Sequence, residues 1–273
     1  MYEPLRGVYN ILSTPFHPDG SLDEASLRRL VEATIAAGVD GITVLGVAGE
    51  AQKLTDAERR RVVEVVMETV GGRVPVIVGS NRDEGRLFAV KVRDAERYEA
   101  QTLWMYGEDG PGVLARYPIG PEGPGATMAR SFTDQKFACP ADALRRVLAR
   151  HVPVRGYEFA DPDAPFALSV LLNAPYDLGA YHASEATYLF GTKWIFADPA
   201  QFTPEQRALS DRMMRLWASF GHEEVSDAEW PRATDGGPIR VFQPEGDMID
   251  HGFAVRSQCD FWATTRFAPV APL

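Results

Sequence analysis

Glu84 is the residue from which chemistry is most easily built. It follows Val74-Pro75-Val76-Ile77-Val78, whose β-branched residues suit a strand buried on both faces. Gly79 and Asn81 then supply a turn. A carboxylate is thus presented just past the carboxyl end of a buried strand, where it can join acid–base chemistry or sit solvated in the turn. Five histidines could partner it, at positions 17, 151, 182, 222 and 251. A nucleophile is harder to find. An elbow needs Gly-x-Ser-x-Gly, because only small residues tolerate its strained turn, and none of the eleven serines has glycine at both flanking second positions. Cys139 and Cys259 make neither a metal cluster nor a disulfide framework by count alone. No metal site and no cofactor is expected.

The elements that must position these residues are clearest in the amino-terminal third. Gly7–Phe16 reads as a strand ending near Thr14, because Pro15 stops it. Ser21-Leu-Asp-Glu24 reads as a capping box, and Leu27, Leu30, Val31, Thr34 and Ile35 share one face of the helix behind it. Gly38 ends that helix and Gly41–Leu45 is the next strand. Thr55-Asp-Ala-Glu58 is a second capping box, and Val62, Val63, Val66 and Val70 give its helix a buried stripe, which Gly71-Gly72 stops. Strand, helix, strand, helix, strand implies right-handed crossovers and parallel pairing.

Composition sets the outer bounds. The 273 residues are enough for one large domain or two small ones. A net charge of −10 without a dense basic cluster argues against nucleic-acid binding. No run of about 18 apolar residues exists, so no membrane span is expected. The first residues lack the regions of a signal peptide, which makes a cytoplasmic location the default.

Ser13-Thr-Pro-Phe16, Asp19-Gly20, Gly38-Val-Asp-Gly41, Gly46-Val-Ala-Gly-Glu50, Leu54-Thr55 and Val74-Pro-Val-Ile77 together resemble the start of the dihydrodipicolinate synthase/N-acetylneuraminate lyase family of class I aldolases. The resemblance covers about the first 80 residues. It implies a TIM barrel that forms a Schiff base between a lysine and a 2-oxo acid. The loop matching Gly46–Glu50 holds the substrate carboxylate in that family, so Gly46, Gly49 and Glu50 are candidate binding residues. Val47 and Ala48 supply no hydroxyl there, which leaves backbone N–H groups. The resemblance stops after three strands of the eight a barrel needs. None of Lys53, Lys91, Lys136 and Lys193 sits in a strand with the context of the Schiff-base lysine.

From Gly79 onward the chain resembles another family. Gly79-Ser-Asn-Arg-Asp-Glu-Gly-Arg-Leu-Phe88 is similar to the acid loop of type-B carboxylesterases, which are α/β-hydrolases. Thr133–Ala141, Val152–Phe159, Gly179-Ala-Tyr-His-Ala-Ser-Glu185, Ser210–Phe220, Trp230-Pro231 and Cys259-Asp-Phe-Trp262 follow in that family's order over about 190 residues. The resemblance implies ester hydrolysis by a Ser–His–Glu triad, with Glu84 as acid and His182 as general base. It also implies that Cys139 and Cys259 match positions disulfide-bonded in many members. The family's nucleophile and glycine-rich oxyanion loop would have preceded Glu84, where the aldolase-like segment stands. Ser13 is the serine that falls nearest the nucleophile's place, although it lacks the elbow.

The expected fold is α/β, a mostly parallel sheet with flanking helices: a partial α/β-hydrolase (81–273) behind an aldolase-like βαβαβ unit (1–80). The two are expected to share one sheet, with Val8–Leu12, Gly41–Leu45, Val74–Val78 and Val152–Phe159 as consecutive parallel neighbours. Gly107–Gly125 and Asp161–Asp177 read as loops. Pro204–Phe220 reads as an amphipathic helix capped by Thr203, with Ala208, Met213, Leu216, Trp217 and Phe220 inward. Asp235–Gln243 suggests a turn and a short strand. The expected activity is that of a carboxylic ester hydrolase, weak or absent for want of a nucleophile. A lyase acting on 2-oxo acids and a non-catalytic binding remnant are the alternatives. The expected partner is a small-molecule ester, and exposed sheet edge favours self-association.

Overall fold

The computed structural model describes residues 9–39, 41–43, 54–71, 76–150, 152–168, 172–193, 196–221, 225–234 and 237–267. Gly46, Gly49 and Glu50 lie outside them, as do Lys53, His151 and His222.

The amino-terminal unit is β1 (Tyr9–Ile11), α1 (Glu24–Ala36), β2 (Gly41–Thr43) and α2 (Asp56–Val70). β1 and β2 pair in parallel, Tyr9 opposite Gly41. Leu27 and Val31 of α1 bury against Val62, Val65, Val66 and Val70 of α2. Thr55 and Glu58 form the expected capping box, and Gly71 ends α2 in the left-handed conformation. The first box is corrected: Asp23, not Ser21, caps α1, its carboxylate accepting from Ser26 N. Ser21 is held back by Asp19, to which both its N–H and its hydroxyl donate, while Leu22 bridges to Phe16.

The second unit holds β3 (Val76–Asn81), a 3-10 turn (Glu84–Leu87), α3 (Ala95–Tyr106), α4 (Gly110–Arg116), α5 (Pro124–Thr133), α6 (Cys139–Leu148), β4 (Val154–Phe159), α7 (Glu185–Phe190), α8 (Pro204–Gly221), β5 (Ile239–Phe242) and β6 (Met248–Asp250). Two short helices, Phe253–Arg256 and Cys259–Trp262, follow. The sheet order is β3-β4-β5-β6, parallel except for β6. Helices flank this mixed sheet, which makes the chain α/β. The segment 107–125, expected as loop, contains α4: Gly107 breaks α3 at φ +56°, and proline in the first turn of α4 needs no N–H partner there.

The expected run of four parallel strands is also corrected. β1–β2 and β3–β4 stand in separate sheets, and no β2–β3 pairing occurs among the described residues. The physical reason lies in α2. Val63, expected in the same stripe as Val62 and Val66, turns the other way with Met67 and packs on the cluster of Leu148, Val152, Val154 and Ala233, which Val76 and Val78 of β3 also join. The two units therefore meet through a helix with two apolar faces, while β1 and β2 offer ladders of only three residues.

The main core lies under α8. Trp230 is fully buried, donates from its indole N–H to Gly156 O at 2.8 Å, and packs on Trp217, Phe220 and Phe242. Thr203 and Gln206 cap α8 reciprocally. Met213, Leu216, Trp217 and Phe220 face inward as expected, while Ala208 is exposed and its neighbour Leu209 is buried in its place. A disulfide joins Cys139 to Cys259.

Candidate active site

The site is assembled where β3 and β4 end. Their ladder runs to Asn81 opposite Phe159, and Arg82 N continues it by donating to Phe159 O at 2.9 Å. The chain then turns sharply. Asp83 binds the segment before α7 twice: its N–H donates to Ala180 O at 3.1 Å, and its Oδ2 accepts from Ala180 N at 3.0 Å. Gly179 makes this approach possible. Its φ is +58°, and a Cβ there would stand 2.3 Å from Asp83 Oδ2.

These two anchors bring Glu84 and His182 together. Glu84 is buried, at 6% exposure. Its Oε1 accepts from Asn81 N at 2.8 Å, and its Oε2 lies 2.6 Å from His182 Nδ1. Gly85 N donates to Thr133 Oγ1 at 2.8 Å, which fixes the turn to α5. The carboxylate next to Nδ1 selects the tautomer with the proton on that nitrogen and leaves Nε2 as the basic atom. The His182 side chain is 47% exposed and packs beside the mutually stacked rings of Phe88 and Phe137, with centroids 5.7 and 5.2 Å away. Its hydrogen bond to Glu84, then the charges of Glu84 and Glu185, raise its pKa above the ordinary value against the opposing effect of burial. Ala183, next in the chain, sits at φ +68°, unusual for a residue with a side chain.

No serine hydroxyl hydrogen-bonds the His182 ring among the described residues. Ser13 is exposed just beyond β1, and nothing in the structure links it to His182. His17 and His251 are exposed and stand apart from this cluster. Two polar residues of the site had no assigned role in the sequence: Asn81, which looked like a turn former, and Glu185, one letter of the histidine motif. The spacing of Glu185, three residues after His182 at the start of a helix, is the signal that was available.

A cavity of about 560 Å³ opens on the other side of the Asn81–Asp83 turn, with Arg116, Arg130, Asp134, Glu158 and Arg256 in its walls but neither Glu84 nor His182. Asp134 is buried there, accepts from Tyr117 OH at 2.9 Å, and is pushed up to about 7, mainly by burial. An acid whose folded pKa is raised keeps its proton while the unfolded chain has lost its own. Stability therefore falls as pH rises from about 4 to about 7 and is flat beyond. Asp134→Asn keeps an acceptor for Tyr117 and has no proton to lose. Its stability relative to the parent should grow by about 1.4 kcal/mol per pH unit across that window. Urea midpoints at pH 5 and pH 8 check this; an equal difference at both would refute it.

Comparison with known proteins also divides the chain in two, but further along than its packing, because the first match takes in β3 and the Glu84 turn. Residues 4–91 match the dihydrodipicolinate synthetase family, and residues 118–261 match the carboxylesterase family. The first part is 46% identical over 93 residues to the 4-hydroxy-tetrahydrodipicolinate synthase of Salinibacter ruber, covering 33% of this chain and 31% of that protein. The same enzyme of Protochlamydia amoebophila is 46% identical over 76 residues, 28% of this chain and 25% of its own length. In structure, EstA of Aspergillus niger aligns with a TM-score of 0.55 at 17% identity, over 73% of this chain and 42% of EstA. A PNB esterase aligns with a TM-score of 0.51 at 21% identity, over 72% and 40%. The chain thus spans a third or less of these synthases and about two fifths of these esterases. Through the sequence that follows its synthase-like segment, a chimera in consequence, the chain belongs to the carboxylesterase family.

Proposed function

We propose that the chain is a carboxylic ester hydrolase by descent that retains the acid and the base of a Ser–His–Glu mechanism and lacks the attacking serine. Its ester turnover is then weak or absent. The 2.6 Å contact between Glu84 and His182 Nδ1, made by a buried carboxylate, carries this reading. In such a mechanism Glu84 orients the imidazole and stabilises its protonated form, and His182 Nε2 takes a proton from a nucleophile and returns it to the leaving alcohol. With no serine hydroxyl bound to the His182 ring among the described residues, the largest part of such a mechanism's rate enhancement has no source there.

The test is labelling of the purified, monodisperse chain with a fluorophosphonate, followed by mass mapping. No stoichiometric adduct is expected. Labelling of one serine, abolished in His182→Ala, would overturn the inactive state and identify a rebuilt nucleophile.

The synthase-like segment favours a second reading, a lyase site for 2-oxo acids. The described lysines Lys91, Lys136 and Lys193 are all exposed, and none lies in a buried pocket of the kind that activates an amine nucleophile. Borohydride with pyruvate should therefore trap no adduct; a single modified lysine would favour the lyase.

A further inference from the structure

We propose that Glu185 is a second carboxylate of the Glu84–His182 site, coupled to it through Asn81, and that it acts as a positioning residue setting the basicity of His182. The proposal rests on the reading of Glu84 and His182 as an acid–base pair.

One residue holds both acids. The Asn81 backbone N–H donates to Glu84 Oε1 at 2.8 Å, and its side-chain amide donates to Glu185 Oε2 and to Tyr181 O, the latter at 2.8 Å. The imidazole occupies the remaining oxygen of Glu84. Glu185 opens α7 three residues after His182, so the same segment that delivers the base delivers the second acid. The ionisable neighbours of this cluster come from every element packed on it. Tyr157 of β4 and Tyr181 are held neutral by burial, and Asp83 and Arg86 of the turn pair with each other. Two carboxylates and one imidazole are left to share the charge.

Two acids that close cannot ionise independently. Burial, then the charge of Glu84, push Glu185 up to about 7, against the hydrogen bond from Asn81. Once Glu185 is ionised, a second negative charge favours the imidazolium; while it is protonated, His182 has only Glu84.

Histidine and carboxyl NMR titrations of the full chain test this without any enzymatic readout. In the parent, His182 should titrate above its ordinary midpoint over a broadened range. In Glu185→Gln the midpoint should fall and the curve become a single step. An Glu185→Gln curve that overlays the parent overturns the proposal. The Glu185 carboxyl signal of the unaltered chain gives a second measurement that needs no variant. It should titrate near neutrality, and a midpoint in the ordinary carboxylate range overturns the proposal equally. Glu84→Gln separates the two levels: if it leaves His182 unmoved, the acid–base pair itself is wrong. If it lowers the midpoint and Glu185→Gln does not, only the role of Glu185 is wrong.

Discussion

Gly85→Ala should destabilise the chain by about 3 kcal/mol, at the upper end of overpacking costs, and release Glu84 from His182 at the same time. The added Cβ would stand 2.1 Å from the Ala129 carbonyl oxygen and 2.9 Å from its carbon. Both are backbone atoms of α5, so no side chain can swing aside. Either α5 or the Glu84–Leu87 turn must move. The turn is the weaker element, held there by Gly85 N to Thr133 Oγ1. Its displacement carries Glu84 with it, and the His182 pKa, raised chiefly by that carboxylate, should drop toward its ordinary value. Urea denaturation and the His182 titration measure the two effects separately. Unchanged stability would show that the turn packs more loosely than described. Lost stability with an unchanged histidine would show that Glu84 holds its place without the turn.

Removing the disulfide should cost about 2 to 5 kcal/mol. Cys139 and Cys259 are 120 residues apart, and closing a loop of that length restricts the unfolded chain by about 5 kcal/mol in the chain-entropy account. The native side has little freedom to compensate. Cys139 is buried beside Trp262, whose indole donates to Tyr117 OH at 2.8 Å, and Tyr117 in turn holds Asp134. Cys139→Ser/Cys259→Ser should therefore melt on the order of 10 °C below the oxidised parent. The parent under reductant should behave like the variant. Equal melting temperatures with and without reductant would mean that the bond adds nothing.

Much of the site was legible because both halves of the acid–base pair lie in distinctive local sequence. Their pairing was not legible from spacing, since Glu84 and His182 are 98 residues apart and meet only because Asp83 and Ala180 exchange hydrogen bonds. Asn81 was read for its turn propensity, and nothing local reveals that its backbone and side chain serve different carboxylates. The parallel order of the sheet failed on Val63 and Met67. Helical periodicity marks them as apolar, and a broad apolar surface cannot say how many neighbours it serves. The segment 107–125 failed for the opposite reason: its glycines and prolines mark boundaries, and the short helix between two boundaries was hidden by them. At Asp23 two good capping residues competed, and the hydrogen bonds between Asp19 and Ser21 decided which was free to cap.

The two-faced α2 bears on how such a chain can arise at all. Joining unrelated coding segments usually exposes one core and leaves the other without a wall. α2 brings its own companions for Val62, Val65 and Val66, and offers Val63 and Met67 to Leu148, Val152, Val154 and Ala233 of the carboxylesterase-like part. One ladder is shared as well: β3, inside the synthase-like match, pairs in parallel register with β4 of the carboxylesterase-like match. A contact made of two side chains on a helix tolerates sequence drift on either side, because any apolar residues of similar size restore it. The β3–β4 ladder is stricter, since a slip of one residue would turn every side chain of the strand to the other face.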